Sequence, residues 1–223
     1  MFAWRDNEKP QENLTIVLIG DYSVGKTCIF ERLAGQNFTH DTPTTIGVDF
    51  RTLRVKIGDS LIKVKMWDTA GMERFRSIVS CYFAGSQVVL MICDCTNTES
   101  IVNLKRSWLK FMYASPSYRR DTLLYVVVNK WDIKRRMDVT AGQTLESKKE
   151  FVRKLLGSIG HRKIFFVSAK TGENLEDMLG EVVKDARQVL KERGDRLPTR
   201  SSLRIVSSPE EDSYSNRCCC ELM

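Results

Sequence analysis

The stretch Gly20–Thr27 (GDYSVGKT) decides the fold, and it follows an apolar run, Leu14–Ile19. Its spacing is G-x-x-x-x-G-K-[ST] between a β-rich segment and a helical one, the context that a phosphate-binding loop requires. The glycines let the backbone turn so that successive N–H groups and the next helix start face one cavity. The residues that we expect to contact a polyphosphate there are Tyr22, Ser23, Val24, Gly25, Lys26, Thr27 and Cys28.

Two side chains of this loop carry specific chemistry. Lys26 is expected to reach the β- and γ-phosphates, and the hydroxyl of Thr27 is expected to ligate Mg²⁺, a cation that prefers oxygen ligands. A glycine-rich turn that matches the pattern by accident is the alternative, so the motifs further along the chain decide between them.

The composition favours a globular protein with a membrane surface as its acidic partner. The 223 residues, 42% hydrophobic and 28% charged, suit one domain with short extensions. The net charge is +7, but the basic residues are scattered and lack an aromatic–basic stripe. We therefore predict no nucleic-acid partner and favour an anionic membrane.

Targeting signals are not apparent in the first residues. Positions 1–13 are polar and lack the apolar segment of a secretory signal, and Phe2 stands where N-myristoylation requires glycine. The longest apolar run, Val88–Cys93, is too short to span a membrane. The sequence thus predicts a cytosolic protein.

The seven cysteines fall into two groups. The first group is predicted to act as small apolar residues of helices and strands in a reducing compartment, and comprises Cys28, Cys81, Cys93 and Cys95. A zinc site is not predicted, because Cys93 and Cys95 have no second ligand pair at zinc spacing. The second group is Cys218, Cys219 and Cys220, which lie in a polar tail.

Strand-like and helix-like segments alternate along the chain. Val48–Ile57 and Leu61–Trp67, joined by Gly58-Asp59, predict an antiparallel hairpin. The remaining strands are predicted at Leu14–Ile19, Gln87–Cys93, Leu123–Val128 and Ile164–Val167, and the helices at Cys28–Ala34, around Trp108 and Met112, at Leu145–Leu156 and at Leu175–Leu190. This order predicts a doubly wound α/β domain with six strands, one of them antiparallel, and helices on both faces. We expect it to occupy residues 14–193, between a flexible start (1–13) and a flexible tail (194–223).

The ends of three predicted strands carry further polar motifs, where ligands of such sheets bind. Asp68-Thr69-Ala70-Gly71 offers a carboxylate for Mg²⁺ and a glycine N–H for a γ-phosphate. Asn129-Lys130-Trp131-Asp132 offers a carboxylate that can accept two hydrogen bonds from guanine, which adenine cannot donate. Ser168-Ala169-Lys170 offers an N–H for the guanine O6 and a lysine stem to cover the base.

Together and in this order, these motifs resemble those of Ras-superfamily small GTPases, and within them those of the Rab family. The resemblance covers about Leu14–Leu190 and implies a P-loop NTPase fold that binds GTP or GDP with Mg²⁺. It implies that Thr45 ligates Mg²⁺ beside Thr27 and Asp68, and that Phe38 packs edge-on against guanine. The catalytic positions that it implies are Lys26, Thr45, Gly71 and Met72.

The Rab resemblance rests on Ile46–Phe50, Lys63–Trp67, Arg74–Ile78 and Tyr82–Gly85. It implies effector contacts through Ile46 and an aromatic triad, Phe50, Trp67 and Tyr82. The alternative is that the three rings only seal a small core. The implied partners are effectors of the GTP state, exchange factors, activating proteins, a dissociation inhibitor and a prenylation escort protein.

Two residues depart from the Rab pattern inside the implied active site. Rabs usually carry glutamine, which orients the attacking water, where this chain has Met72, whose thioether has no donor. Tyr22 replaces a small residue; its ring is expected either to occupy space beside the γ-phosphate or to fold outward and bond a phosphate oxygen. We expect slow hydrolysis and blunted stimulation by activating proteins, the alternative being that hydrolysis is normal.

The last residues resemble a lipid-attachment signal. Rabs often end in paired cysteines that take two geranylgeranyl groups, and Cys220–Met223 also resembles C-a-a-X, with Glu221 a poor fit to an aliphatic position. Because one chain binds weakly and two anchor stably, we expect two of Cys218, Cys219 and Cys220 to be modified. The alternative is an unmodified cysteine cluster. Basic residues of the tail would assist attachment to the cytosolic face of an intracellular membrane: Arg193, Arg196, Arg200 and Arg204.

Three functions remain open. The first is a GTP-controlled switch of vesicle and membrane trafficking, and the second is a phosphotransferase or metabolic ATPase. Asp132 and the lack of an acceptor-substrate domain argue against the second. The third is a GTP-binding scaffold that scarcely hydrolyses.

Overall fold

The computed structural model describes residues 12–40, 43–133, 145–157 and 159–194. Its six-stranded sheet has the order β2-β3-β1-β4-β5-β6, with β2 and β3 antiparallel and every other neighbouring pair parallel. The strands are β1 (Glu12–Ile19), β2 (Val48–Ile57), β3 (Ser60–Thr69), β4 (Val88–Asp94), β5 (Leu123–Asn129) and β6 (Lys163–Phe166). The predicted fold class, six strands and one antiparallel strand are confirmed.

The helices cover both faces of this sheet. They are α1 (Lys26–Leu33), α2 (Arg76–Cys81), α3 (Thr98–Asn103), α4 (Lys110–Ala114), α5 (Leu145–Leu156) and α6 (Leu175–Glu192), with a 3₁₀ turn at Glu73–Phe75. A π-helical turn, Leu104–Leu109, joins α3 to α4. Apolar residues of α1 and α6 fill one core, and those of α2 to α5 fill the other.

Burial explains why the central strands read as unbroken apolar runs. All seven residues of β4 and all seven of β5 are buried, because helices cover both faces of these strands. β2, at the sheet edge, alternates between half-buried and exposed residues instead. The central strands therefore fix the sheet and leave their carboxyl ends free to carry polar groups.

The parallel register brings those ends together. Leu18 pairs with Asp68, and Asp94 pairs with Asn129, so the predicted polar motifs meet at one edge of the sheet. Asp68 and Asn129 are the penultimate residue of β3 and the last residue of β5, whereas the sequence predicted them just beyond the strands. Backbone pairing thus holds both side chains in place.

Three local expectations were wrong or incomplete. Helix α2 was not predicted, because its six residues are too few to show a helical period. The helix expected through Trp108 and Met112 is interrupted by the π turn. Cys81 is exposed, although a core position was expected, whereas Cys93 and Cys95 are buried as predicted and Cys28 is half-buried.

Several predictions lie outside the described residues. These are residues 1–11 of the expected flexible start, most of the tail, and Cys218, Cys219 and Cys220. Glu12 and Asn13, which were also expected in the flexible start, instead begin β1 and pair with β3. Within the described part of the chain, none of the helices combines the length and apolar character needed to cross a bilayer.

Candidate nucleotide-binding site

The phosphate-loop motif forms a tight turn between β1 and α1. Gly25 precedes α1 with φ 92°, and a Cβ there would lie 2.3 Å from the Asn129 side-chain nitrogen. Glycine is therefore required both by the left-handed backbone and by the close packing. Asn129 donates from Nδ2 to the Val24 carbonyl at 2.9 Å, which ties the loop to the end of β5.

Lys26 is enclosed by the loop that it follows. Its side chain is 5% exposed, and Nζ donates to the carbonyls of Gly20 at 2.9 Å and Asp21 at 2.8 Å. Burial lowers the pKa of this ammonium to about 8, and the charges of Asp68 and Asp21 partly oppose that effect. A buried cation at the start of a helix is suited to binding a polyanion. The negative charge of the polyanion would stabilise the ammonium and offset the hydration that the ammonium loses on burial.

Three oxygen-bearing side chains meet beside Lys26. Thr27 Oγ1 donates to Asp68 Oδ2 at 2.6 Å and lies 2.8 Å from Thr45 Oγ1, which is 3.4 Å from the same carboxylate oxygen. Asp68 is 1% exposed, and its Oδ1 accepts no hydrogen bond from any residue that the structure describes. Burial raises the pKa of this carboxyl to about 6, with hydrogen bonding from Thr27 acting in the opposite direction.

This set fits a magnesium ion held partly by the protein. Two hydroxyls and one carboxylate are hard oxygen ligands, and Mg²⁺ usually takes one or two protein ligands together with waters and phosphate oxygens. The free lone pairs of the buried Asp68 Oδ1 are what a cation in this place would satisfy. Groups of three or more His, Cys, Asp or Glu suited to a metal do not occur among the described residues.

The predicted base-recognition residues lie on the other side of the phosphate loop. Asp132 Oδ1 accepts from Ser168 Oγ at 2.6 Å, and the Ala169 N–H donates to Asn129 Oδ1 at 3.1 Å. Lys130, with φ 61°, donates from Nζ to the Ser23 carbonyl at 2.9 Å and lies 2.8 Å from Asp94. The ends of β5 and β6 and the phosphate loop are therefore one hydrogen-bonded unit.

A cavity of about 350 Å³ runs between these groups. The predicted residues that line it are Tyr22, Ser23, Gly25, Lys26, Thr27, Cys28, Phe38, Thr45, Gly71, Asn129, Lys130, Asp132, Ala169 and Lys170. Val24 and Ser168 are instead buried behind its wall, and Asp68 reaches it through the two threonine hydroxyls. Residues that the sequence did not single out also line it: Thr39, His40, Pro43, Thr44, Thr69 and Ile133. Most of them are next in sequence to predicted site residues, and this proximity is the feature of the sequence that could have indicated them.

Comparisons with known proteins agree with this geometry. The Ras family model matches residues 15–188, which is more than half of the chain. The chain belongs to the Ras family.

Relatives place this Ras-family protein near the Rab proteins. It is 35% identical over 184 residues to "Ras-related protein RABE1e" of Arabidopsis thaliana, with 80% of this chain and 77% of the relative covered. It is 31% identical over 212 residues to "Ras-related protein RAB1BV" of Beta vulgaris, with 92% of each covered. It is 35% identical over 182 residues to "Ras-related protein Rab-13" of Bos taurus, covering 82% and 83%. The protein is therefore a Rab-like small GTPase, and GTP hydrolysis with GTP, GDP and Mg²⁺ as ligands is the general property of its family.

Tyr22 contacts another residue of the cavity lining in this small GTPase. The side chain is 53% exposed, and its hydroxyl lies 3.2 Å from Thr44 Oγ1. Tyr22 is among the residues that line the cavity, and the position of its ring relative to a bound γ-phosphate stays a prediction. The contact joins the phosphate loop to the segment that carries Thr45.

Gly71 and Met72 behave differently from each other. A Cβ on Gly71 would lie 2.5 Å from the Tyr22 nitrogen and 2.6 Å from the Asp21 carbonyl group, so only glycine fits. Met72 is half-buried and does not line the cavity. Its carbonyl accepts from the Phe75 N–H at 3.1 Å, at the start of the 3₁₀ turn. The structure therefore brings Gly71, and not Met72, to the site.

The predicted aromatic triad is a contiguous cluster. Ring centroids are 5.0 Å apart for Phe50 and Trp67 and 4.7 Å apart for Trp67 and Tyr82. Trp67 and Tyr82 pack against the core beneath, whereas Phe50 is 55% exposed and Ile46 is 82% exposed. The cluster both seals part of the core and offers an apolar surface.

Proposed function

We propose that this protein is a GTP-controlled switch of the Rab type that regulates membrane trafficking through effectors bound in the GTP state. The observation that carries the proposal is the contact of Thr45 with Thr27 and Asp68. It connects the segment bearing Thr45 to the predicted magnesium ligands through oxygen atoms alone. A bound nucleotide and cation would compete for the same atoms, so this segment would respond to the state of the nucleotide.

The roles of the chain's own residues follow from their positions. Lys26 balances the charge of the β- and γ-phosphates, and Thr27 and Asp68 offer oxygens to Mg²⁺. When bound, Mg²⁺ neutralises phosphate charge. Gly71 lets its N–H approach the γ-phosphate, so loss of that phosphate would release both Gly71 and Thr45. Asp132, supported by Ser168, selects guanine.

We propose further that hydrolysis is slow. Met72 offers no donor to hold the attacking water, and Tyr22 lines the cavity that the water must enter. The Tyr22 contact with Thr44 also joins the phosphate loop to the segment that carries Thr45. A scaffold that remains in the GTP form is the second candidate, favoured by these same two residues.

The proposed partners bind where apolar side chains reach the surface. Ile46 and Phe50 expose most of their area, and Trp67 and Tyr82 support Phe50 from beneath. Effectors of the GTP state are proposed to bind there, because the surface adjoins the segment bearing Thr45. Regulators of the kinds that act on Rabs complete the cycle: exchange factors, activating proteins, a dissociation inhibitor and a prenylation escort protein.

The nucleotide carried by the purified protein tests the proposed function. We expect denaturation of the full-length protein to release GTP or GDP, identified by ion-pair chromatography. ATP or ADP would instead support the phosphotransferase and contradict both GTP-binding candidates. Single-turnover hydrolysis then separates the two: measurable conversion of GTP supports the switch, and none over many hours supports the scaffold.

Membrane attachment is proposed to use lipid on the tail. The folded domain is proposed to end at residue 193, so the tail from residue 194 onward would connect it to Cys218, Cys219 and Cys220. We expect intact-mass measurement of the membrane-bound pool from eukaryotic cells to show two geranylgeranyl groups. The matched control is the variant with all three cysteines changed to serine, which should remain cytosolic. An unmodified terminus on membrane-bound wild type would contradict the proposal.

A further inference from the structure

The side chain of Asp21, inside the phosphate loop, turns away from the nucleotide cavity. Its Oδ1 accepts from Trp108 Nε1 at 2.7 Å, and its Oδ2 accepts from Asn103 Nδ2 at 2.8 Å. Asp21 does not line the cavity. Both carboxylate oxygens are therefore held by neutral donors from the segment that contains α3 and the π turn.

The π turn explains how both donors reach one carboxylate. Asn103 ends α3, and Trp108 lies five residues later within Leu104–Leu109. In a regular α-helix, residues five apart are rotated by about 140° relative to each other and face different directions. A turn with i→i+5 hydrogen bonds places them one above the other, and such turns frequently occur at functional sites.

Trp108 also contacts the helix that follows Gly71 and Met72. The guanidinium carbon of Arg76, the first residue of α2, lies 4.9 Å from the Trp108 ring centroid and 5.9 Å from that of Phe111. Arg76 Nε is buried and has no hydrogen-bond partner among the described residues. The ring faces therefore hold the guanidinium at this point, while the ring edge of Trp108 holds the phosphate loop.

The backbone of Asp21 is equally constrained. Its carbonyl accepts from Lys26 Nζ at 2.8 Å, and Gly71 packs directly against the Asp21–Tyr22 peptide. Asp21 thus contacts Lys26 and Gly71 directly, and it is connected to helix α2 through Trp108. A movement of Lys26, Gly71 or α2 would therefore change the contacts of Asp21.

We propose that Asp21, Asn103 and Trp108 are positioning residues for the γ-phosphate end of the nucleotide, an inference that rests on the proposed guanine-nucleotide site. They hold the Asp21 carboxylate away from the phosphates. They also keep the Asp21–Tyr22 peptide in its position against Gly71. If the donors are lost, the carboxylate is free to rotate toward the cavity. Its repulsion is greater for a triphosphate than for a diphosphate, because the additional charge lies nearest Gly71.

Two substitutions made in full-length protein, Asn103→Asp alone and then together with Asp21→Asn, test the inference. The pair of changes exchanges the amide and the carboxylate between the two positions. Asn103→Asp sets two carboxylates against each other. We expect it to raise the dissociation rate of a fluorescent non-hydrolysable GTP analogue about fivefold, with a change below about twofold for fluorescent GDP. Adding Asp21→Asn should restore the wild-type rate, because its amide can donate to the introduced carboxylate while its oxygen still accepts from Trp108.

A second variant and a matched control complete the experiment. Trp108→Phe keeps a ring for Arg76 but removes the Nε1 donor, and it should show the same selective effect. Asn97→Asp makes the same chemical change at the N-cap of α3, where Asp caps as well as Asn, and should change neither rate. Equal acceleration of both nucleotides, or a double variant no better than Asn103→Asp, would overturn the inference. Failure of wild type to bind guanine nucleotides would instead contradict the proposed function.

Discussion

Replacement of Asp132 by asparagine is expected to weaken GTP binding roughly ten- to a hundredfold, about 1.4 to 2.8 kcal/mol. The carboxylate of Asp132 is proposed to accept from the N1–H and the amino group of guanine. An amide would set its own donor against one of those donors and leave a buried hydrogen bond unmade. Direct equilibrium titration of each variant with a fluorescent GTP analogue measures the loss.

Asp132→Asn is expected to leave the hydrogen bond from Ser168 intact. Ser168 Oγ donates to Asp132 Oδ1 at 2.6 Å, and an amide oxygen can accept the same bond. The loop should therefore keep its shape. Xanthine carries a carbonyl in place of the guanine amino group, so the variant should bind XTP more tightly than wild type does. Asp59→Asn, in the exposed turn between β2 and β3, serves as the control. Unchanged GTP affinity in Asp132→Asn would refute the assignment.

Much of the fold was predictable because apolar runs and strand-end motifs obey general rules. β4 and β5 are apolar throughout because both faces are covered, and this pattern is visible in the sequence. Parallel strands end at one edge, so the order of the strands predicted that Asp68 and Asn129 lie at the same edge, although both are inside their strands rather than beyond them. The family comparison confirms the Ras-superfamily interpretation.

What could not be predicted depends on contacts between distant segments. Asp21 and Trp108 are 87 positions apart, and neither shows in sequence that it bonds the other. The π turn that brings Asn103 beside Trp108 has no recognisable composition. The Tyr22 contact with Thr44 depends on the path of a loop that no periodic pattern describes.

Restoring the usual active-site residues is expected to raise single-turnover GTP hydrolysis about tenfold. The variant Met72→Gln supplies an amide that can both donate to and accept from the attacking water, and Tyr22→Ser removes the ring from the cavity lining. The two changes should act together, because water must both enter and be oriented. Each protein is loaded with radiolabelled GTP and then mixed rapidly with Mg²⁺. The release of labelled phosphate over time gives the rate of hydrolysis.

The controls separate ring size, hydroxyl contact and amide chemistry. Tyr22→Phe keeps the ring but loses the 3.2 Å contact with Thr44, so hydrolysis should stay near the wild-type rate if bulk is the obstacle. Met72→Leu keeps apolar bulk without an amide and should also stay slow. Met72 lies outside the cavity wall in this structure, so the amide can act only if residue 72 moves inward when nucleotide binds. If wild type already hydrolyses GTP as fast as the double variant, Tyr22 and Met72 do not obstruct the reaction.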